Sequence, residues 1–307
     1  MATAKSPKAQ AAWALRPLCV HGQPAHGHRG DGRVHSIGTG HAYESSLRGV
    51  AAFLKERDGF LGDLKDLDRD TAVAYLLQRS EAVLQKTLDL DRQAMQAFMN
   101  SRAGGEGHPR LPVIKSEHET ILCSRAYTAI QVTLVAKAQT IRHALATEIA
   151  RDAGLRAHEL LTLLRLEERP ISDHRVFRND LFTGRHDVRR YTVKGKGGLI
   201  RQVALDRLLS ERLESCRLDD ALTVYDREIC YLQHYGIGGG KLWTDSFRKA
   251  AERTLGWSTG AHGLRHAFAQ ARMHTLQGLG YAYTEALAVV SQEMGHFRPS
   301  ITEVYLR

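Results

Sequence analysis

Six side chains that can bind an oxyanion or react with one are spread along the second half of the chain. They are Arg156, Lys196, His262, Arg265, His296 and Tyr305. Arginine presents a planar set of donors that matches phosphate oxygens, imidazole and ammonium groups exchange protons, and a tyrosine oxygen can form a covalent intermediate. Taken singly, each has an ordinary structural explanation, such as a surface ion pair between Arg156 and Glu159. Only their occurrence together indicates a reactive site.

The sequence around these residues predicts the elements that hold them. Two strand-like runs flank a glycine-rich turn within residues 186–205, which predicts a β-hairpin with Lys196 at its tip. His262 and Arg265 are three residues apart at the start of a predicted helix, so both side chains project from one face. Tyr305 lies two residues from the end of the sequence.

The positive charge is concentrated in two stretches. The chain has 43 Lys and Arg against 34 Asp and Glu. Residues 1–40 hold five basic residues against one acidic residue, residues 185–201 hold six against one, and the remainder is balanced. Such concentration is typical of a protein with a polyanionic partner, and the charge alone fits a soluble surface with scattered Lys and Arg equally well. The candidate contacts to nucleic acid in the second stretch are Arg185, Arg189, Arg190, Lys194 and Arg201.

Periodicity and composition predict two domains behind an arm. Residues 1–40 show no helical or strand period and are predicted to form a flexible basic arm, residues 41–102 a helical domain, residues 103–115 a linker rich in glycine and proline, and residues 116–307 a second domain. In that domain helices are predicted at about 116–166, 206–218, 244–256, 262–277 and 284–294, and a loop at 219–241.

Composition excludes several classes of protein. With 307 residues, 43% hydrophobic and 25% charged, the chain is neither disordered nor collagen-like. It contains no apolar run near the ~18 residues that a membrane span needs and no signal-peptide pattern, so we expect a cytoplasmic protein. The four cysteines are far apart and form no Cys-x-x-Cys motif, which indicates reduced thiols.

Four local sequences, taken in order, resemble the motifs of the tyrosine recombinases, also called the phage-integrase family. GLRAHEL around Arg156 resembles the first arginine box, and VKGKGGLIRQVAL around Lys196 resembles the lysine hairpin. HGLRHAFA is similar to the His-x-x-Arg box, and MGHFRPSITEVYL is similar to the segment from Gly-His to the nucleophile, including its nine-residue gap. The resemblance covers about 116–305 in specific motifs and 41–115 as a helical module of suitable size.

The resemblance implies a fold and an activity. The expected fold is mainly α with a small antiparallel β-sheet, in which a helical core-binding domain that clamps DNA precedes an α+β catalytic domain. The expected reaction is DNA strand cleavage and rejoining through a covalent 3′-phosphotyrosine, without metal or ATP. The active site is expected in a positive groove between the two domains.

The resemblance also assigns a role to each residue. Tyr305 would be the nucleophile, Arg156 and Arg265 would bind the non-bridging phosphate oxygens, and Lys196 would protonate the 5′-oxygen, with Lys194 as the alternative acid. His262 and His296 would hydrogen-bond the phosphate, and His262 would also take part in proton transfer from Tyr305. Glu159 would hold an active-site side chain in place. Ser300 and Glu303 form a Ser-x-x-Glu pattern, which predicts a capping box on the helix before Tyr305.

The expected partner is double-stranded DNA, on which the protein would assemble as a tetramer, with accessory DNA-bending proteins as further partners. Such a recombinase or integrase would serve a mobile element or resolve replicon multimers. Two alternatives stay open. A type IB topoisomerase uses a similar catalytic set, and a catalytically silent DNA-binding regulator would share the fold, although the complete residue set argues against it.

Overall fold

The computed structural model describes residues 6–20, 31–58, 62–103, 107–119 and 123–307. The chain divides into two compact units, residues 1–121 and 122–307. None of the helices within the described ranges is both long and apolar enough to cross a membrane.

Amphipathic helices build the first unit. Its described helices are α1 (Pro7–Leu15), α2 (Ile37–Asp58), α3 (Arg69–Ser80) and α4 (Gln85–Arg102). Leu47 and Val50 of α2, one helical turn apart, pack in one apolar core with Met95 and Phe98 of α4. The helices predicted for residues 41–102 are confirmed.

The prediction of a flexible arm over residues 1–40 is wrong for the part that contains α1. Ser6 caps this helix with its hydroxyl and Pro7 takes the first helical position, where its missing N–H is not needed. Ala11 and Ala14 are buried in the core of the unit. Alanine-rich helices have little periodicity, because their small side chains contribute weakly to an apolar face, and the pattern was therefore missed. Parts of the arm lie outside the described residues, at 1–5 and 21–30.

The predicted linker, residues 103–115, packs against the first unit where it is described. Leu111 is buried, and its backbone amide donates to Gln96 Oε1 at 2.7 Å. The Ser116 amide donates to Gln85 Oε1 at 2.9 Å. Two glutamine side chains on α4 thus bind an extended segment whose glycine and proline content is typical of a linker, and the second unit begins at 122 rather than 116.

The second unit combines helices with two small antiparallel sheets. Its elements are α5 (Ala129–Lys137), α6 (Ile141–Asp152), β1 (Leu164–Arg165), β2 (Val188–Lys194), β3 (Ile200–Asp206), α7 (Arg207–Glu214), β4 (Arg217–Asp226), β5 (Ile229–Tyr235), α8 (Gly240–Leu255), α9 (Gly263–Gly278), α10 (Tyr283–Glu293) and α11 (Pro299–Glu303). β2 lies between β1 and β3 and pairs with both. Tyr191 of β2 faces Val203 of β3, and both side chains are buried with Trp243 and Phe247 of α8. The hairpin predicted for residues 186–205 is confirmed.

The loop predicted for residues 219–241 is wrong over most of its length, because β4 and β5 form a hairpin there. Its two-residue turn consists of Arg227 and Glu228, with φ of +48° and +66°. Tight hairpin turns need this left-handed conformation, which asparagine and glycine adopt most readily. Since this turn contains neither asparagine nor glycine, the sequence lacks the usual hairpin signal.

Candidate active site

The turn after α6 brings Arg156 against Glu159. Gly154 has a φ of +60°, and a Cβ there would lie 2.5 Å from the ring of Phe268, so only glycine fits the turn. Arg156 donates from its backbone amide to Glu159 Oε2 at 2.8 Å and from Nη1 to Oε1 at 2.9 Å. The Glu159 side chain is 0% exposed. Since Arg156 is 22% exposed, the pair joins a partly exposed guanidinium group to a fully buried carboxylate and is not the surface ion pair that its spacing alone would suggest.

Three guanidinium groups surround the Glu159 carboxylate. Besides Arg156, Arg201 donates from Nη2 to Oε2 at 2.9 Å, and Nη1 of Arg265 lies 3.8 Å from Oε2. Burial alone would raise the pKa of Glu159, but the three cations outweigh it and hold the pKa at about 2. The carboxylate is consequently ionised at neutral pH and orients the arginines around it.

Arg265 comes from the first turn of α9 and is completely buried. It donates from Nη2 to the Met294 carbonyl at 3.0 Å and from Nη1 to the Gly154 carbonyl. Burial and then the nearby charge of Arg156 lower its pKa to about 10, which leaves it protonated at neutral pH. The side chain is thus fixed by backbone carbonyls from two segments distant in sequence.

His296 joins the two arginines. α10 ends just before Gly295, whose φ of +73° turns the chain, and His296 Nε2 then lies 2.8 Å from Nη2 of Arg156 and 3.2 Å from Nη2 of Arg265. Guanidinium groups only donate, so Nε2 is the acceptor, and the proton is on Nδ1, which donates to Thr302 Oγ1 at 3.1 Å. Burial, followed by Arg265 and Arg156, lowers the pKa of His296 to about 3. The neutral imidazole therefore accepts hydrogen bonds from both guanidinium groups.

Tyr305 lies among these groups in its own subunit. It follows α11 in a single 3-10 turn, Val304–Leu306, and is 8% exposed. Its ring centroid is 5.3 Å from those of His262 and His296, and Cζ of Arg265 is 5.5 Å from it. The ring thus lies beside His262, His296 and Arg265, and it also packs on the apolar core of α9 and α10.

The capping box predicted from Ser300 and Glu303 is absent. α11 has Arg298 at its N-cap with no side-chain hydrogen bond, and Pro299 occupies the first helical position. Proline there shifts the start of the helix by two residues relative to the prediction, so neither side chain reaches the position that a capping box needs.

The tip of the lysine hairpin adjoins the site. A Cβ on Gly195 would lie 3.1 Å from Glu159 Oε1, so this part of the backbone is next to the carboxylate. Gly197 and Gly198 both have positive φ, which allows the tight turn. Lys194 and Lys196 both have exposed side chains. The structure therefore leaves both lysines as candidates for the acid.

Two of the five predicted DNA contacts, Arg185 and Arg201, form ion pairs with carboxylates of the protein itself. Arg185 donates from Nη2 to both carboxylate oxygens of Asp152, at 2.8 and 2.9 Å, and Arg201 is 1% exposed. The burial of Arg201 contradicts the prediction that it contacts DNA, whereas the contact predicted for Arg185 stays a prediction. A charge count does not distinguish a surface guanidinium from one that neutralises a carboxylate inside the fold. Arg189, Arg190 and Lys194 are exposed.

Sequence reasoning missed three side chains around Tyr305. The His266 ring centroid is 4.8 Å from that of Tyr305, and Gln270 Nε2 donates to the Tyr305 carbonyl at 3.3 Å. Thr302 holds His296 as described above. The spacing of four between His262 and His266 was the available signal, since side chains one turn apart on a helix face the same neighbour.

Acid should destabilise this cluster. Partial burial and Arg265 lower the pKa of His262 to about 4, and that of His296 is about 3, whereas both are near 6.5 in the unfolded chain. The unfolded state therefore binds protons first, so stability is complete above pH 6.5 and falls as the pH decreases. When the pH is lowered from 6.5 to 4.5, we expect the free energy of unfolding to fall by about 2 kcal/mol less in His296→Gln than in the wild type. Urea unfolding at both pH values measures this, with His274→Gln, an exposed position on α9, as the control. Equal pH slopes for wild type and His296→Gln would contradict the prediction.

Comparison with known proteins places the fold. No protein-family model matches the chain, and no curated protein matches its sequence. Among solved structures, XerH site-specific recombinase bound to its difH substrate in a pre-cleavage complex is similar, with a TM-score of 0.57 and 14% identity over 100% of this chain and 94% of that chain. The post-cleavage complex of XerH with a palindromic difH substrate has a TM-score of 0.57 and 14% identity over 87% of this chain and 76% of that chain. A lambda integrase dimer bound to a COC′ core site has a TM-score of 0.54 and 16% identity over 89% of this chain and 73% of that chain. The expected fold, mainly α with a small antiparallel sheet, is thus confirmed as that of tyrosine recombinases.

Proposed function

We propose that this protein is a site-specific DNA recombinase or integrase that cuts and rejoins DNA strands through a covalent 3′-phosphotyrosine on Tyr305. The observation that carries the proposal is that the guanidinium groups of Arg156 and Arg265 lie 2.8 and 3.2 Å from His296 Nε2, beside the ring of Tyr305. The single negative charge of Glu159 faces three guanidinium groups, those of Arg156, Arg201 and Arg265, so the cluster keeps an excess of positive charge that a phosphate beside the phenol would neutralise.

The scissile phosphate would take the position between the two guanidinium groups. Arg156 and Arg265 then transfer the donors now held by His296 to the non-bridging oxygens, where negative charge increases in the transition state. Both side chains are held by the buried Glu159 or by backbone carbonyls, so little reorganisation is needed when the substrate binds. His296 would then lose its Nδ1 proton and gain one on Nε2 by exchange with water, so that Nε2 donates to the same phosphate while Nδ1 accepts from the Thr302 hydroxyl.

The reaction would proceed by in-line displacement at phosphorus. The Tyr305 oxygen forms a bond to phosphorus while the bond from phosphorus to the 5′-oxygen breaks, and religation reverses both changes without ATP. His262, neutral at pH 7 because its pKa is about 4, can accept the phenol proton or relay it. Lys196 or Lys194 would supply a proton to the departing 5′-oxygen.

The neighbouring structures favour recombination over topoisomerase activity. The XerH pre-cleavage complex aligns over 100% of this chain, including its helical unit. Lambda integrase has been solved as a tetramer bound to a Holliday junction, with a TM-score of 0.54 to this chain. We therefore expect assembly into a tetramer on double-stranded DNA in the cytoplasm, as part of a mobile element or of multimer resolution.

Trapping the intermediate tests the proposal. Duplexes with a randomised central segment are selected for binding to the full chain. Recovered sites are rebuilt with a nick close to the cleavage position, so that the short fragment that carries the free 5′-hydroxyl diffuses away after cleavage. A covalent protein–DNA adduct on a denaturing gel is expected. Binding of a selected site without any adduct would instead favour a silent DNA-binding regulator.

A second assay separates the two enzymatic functions. The full chain is mixed with a supercoiled plasmid that carries two selected sites, and with one that carries none. Recombinant circles from the first plasmid alone support recombination. Efficient relaxation of both plasmids by a monomer would favour the type IB topoisomerase.

Exposed arginines on β2 are expected to bind the DNA backbone. Arg189→Gln and Arg190→Gln should each weaken binding about equally for all sequences and lower the slope of log K against log salt concentration by about 1. Fluorescence anisotropy at several salt concentrations measures this slope. Arg248→Gln, an exposed arginine on α8 paired with Glu252 at 2.8 Å, is the matched control. An unchanged slope in both β2 variants would exclude these phosphate contacts.

A further inference from the structure

Arg201 is a buried cation that the proposed chemistry does not use. It lies on β3 opposite Val193, at 1% exposure, and the charge count groups it with surface contacts to DNA. Removing a guanidinium group from water is costly unless each buried donor finds a strong partner. Its partners therefore indicate what the residue does.

Arg201 connects its own strand to two other segments that each carry part of the candidate site. Nη2 donates to Glu159 Oε2 at 2.9 Å, beside Arg156. Nη1 donates at 2.7 Å to the carbonyl of Glu293, the last residue of α10, three residues before His296. A Cβ on Gly295 would lie 2.8 Å from Arg201 Nε, so this glycine allows the arginine to lie against the turn that leads to His296.

We propose that Arg201 is a positioning residue, which holds the Glu159 carboxylate and the end of α10 so that Arg156 and His296 meet. The Glu159 carboxylate contacts the side chain and the backbone of Arg156, and a single ammonium group in place of Arg201 could reach only one of its two partners. The catalytic part of this inference rests on the proposed function, because cleavage is its readout.

The charge of Arg201 has a second consequence. Among the cations near Glu159 it does most to keep that carboxylate ionised against the effect of burial. Without Arg201 the pKa of Glu159 rises, and protonation at mildly acidic pH would remove the anion that orients Arg156. A residue with a purely structural role would not introduce such a pH dependence.

Arg201→Met and Arg201→Lys test the inference in single-turnover cleavage of a nicked substrate at several pH values. We expect Arg201→Met to slow cleavage by about 10- to 100-fold, the range seen when a supporting side chain is lost, with Arg201→Lys in between. In Arg201→Met the cleavage rate should also fall at mildly acidic pH, a dependence that the wild type lacks. In a Glu159→Gln background, where no carboxylate remains to be held, replacing Arg201 should have a clearly smaller effect.

The matched control is Arg169→Met. Arg169 is a partly buried arginine of the same unit, which donates to the Thr192 hydroxyl at 3.0 Å and to the Thr192 carbonyl at 2.8 Å. An equal loss of rate in both variants at every pH would reduce Arg201 to a structural role and overturn the inference. Weaker DNA affinity with a smaller salt slope in Arg201→Met would overturn it as well, since that result identifies a direct DNA contact.

A readout independent of cleavage separates this inference from the proposed function. Carboxyl-carbon NMR of the full chain, without DNA, follows the titration of Glu159 in the wild type and in Arg201→Met, which removes the charge, with Arg201→Lys, for which we expect a smaller rise, as the second variant if the Met variant does not fold. A rise in the pKa of Glu159 in the variant supports positioning even if no adduct ever forms. No change in this pKa rejects it even if the wild type cleaves DNA.

Discussion

Tyr305→Phe is expected to abolish the covalent protein–DNA adduct, reducing its yield by more than about 10³-fold, because the variant lacks the only atom that would attack phosphorus. The change should leave the fold intact. The ring packs with Phe268 and Met273 in the apolar core of α9 and α10, and phenylalanine retains that contact. DNA affinity and melting temperature are therefore expected to stay close to those of the wild type. Adduct formation on the nicked substrate is the measurement.

The control for this variant is Tyr283→Phe. Tyr283 begins α10 and is exposed, so losing its hydroxyl should leave the adduct yield at the wild-type level. An adduct from Tyr305→Phe at wild-type yield would show that another residue is the nucleophile. Loss of the adduct together with loss of DNA binding would point to a folding defect, which the melting curve would reveal.

Arg265→Lys is expected to slow cleavage by about 10²- to 10³-fold while DNA affinity changes by only a few-fold. A lysine keeps the charge but cannot present two parallel donors to a phosphate, and one lost donor of this kind typically costs about 3–4 kcal/mol in the transition state. Truncation to alanine would be harder to interpret, because it would leave the Gly154 and Met294 carbonyls without the guanidinium group they now accept from. Single-turnover cleavage and equilibrium binding on the same substrate separate the two effects.

Arg272→Lys supplies a demanding control for that variant. Arg272 lies two turns further along α9, is buried, and forms two hydrogen bonds of 2.8 Å with the Glu293 carboxylate. Arg272 lies on the same helix as Arg265, and its replacement breaks a buried bidentate pair with Glu293 of α10. The variant should therefore be less stable, while its cleavage rate falls far less than that of Arg265→Lys. Equal losses of cleavage in the two variants would assign the effect to packing of α9.

Short-range patterns predicted most local structure around the candidate site. The three-residue spacing placed His262 and Arg265 on one turn, and the glycine-rich turn between strand-like runs located the lysine hairpin. Local sequence patterns did not predict two elements. The β4–β5 turn places Arg227 and Glu228 in the left-handed conformation, which these residue types rarely adopt, and the alanine-rich α1 lacks a strong apolar period.

The alternation of inward and outward side chains along β3 predicts that Arg201 is buried, whereas the charge count groups it with surface cations. Arg201 shares the strand face of Val203, whose side chain is buried, so a period of two predicts that it points inward. Arg190, in the same basic segment, points outward and is exposed. A count of charges that ignores which face of the strand each residue occupies therefore treats a buried ion-pair partner and a surface cation as equivalent.

From the sequence alone, the order and spacing of the motifs established which residue types are available and which short elements carry them. Only the tertiary structure decided the partners of those residues, their burial and the tautomer of His296. Arg201 and Glu159 are 42 residues apart, and Arg156 and His296 are 140 apart, yet each pair forms a hydrogen bond. Local patterns act through neighbours within one or two turns, whereas the charge state and orientation of a buried group depend on whichever distant segments the packed core places beside it.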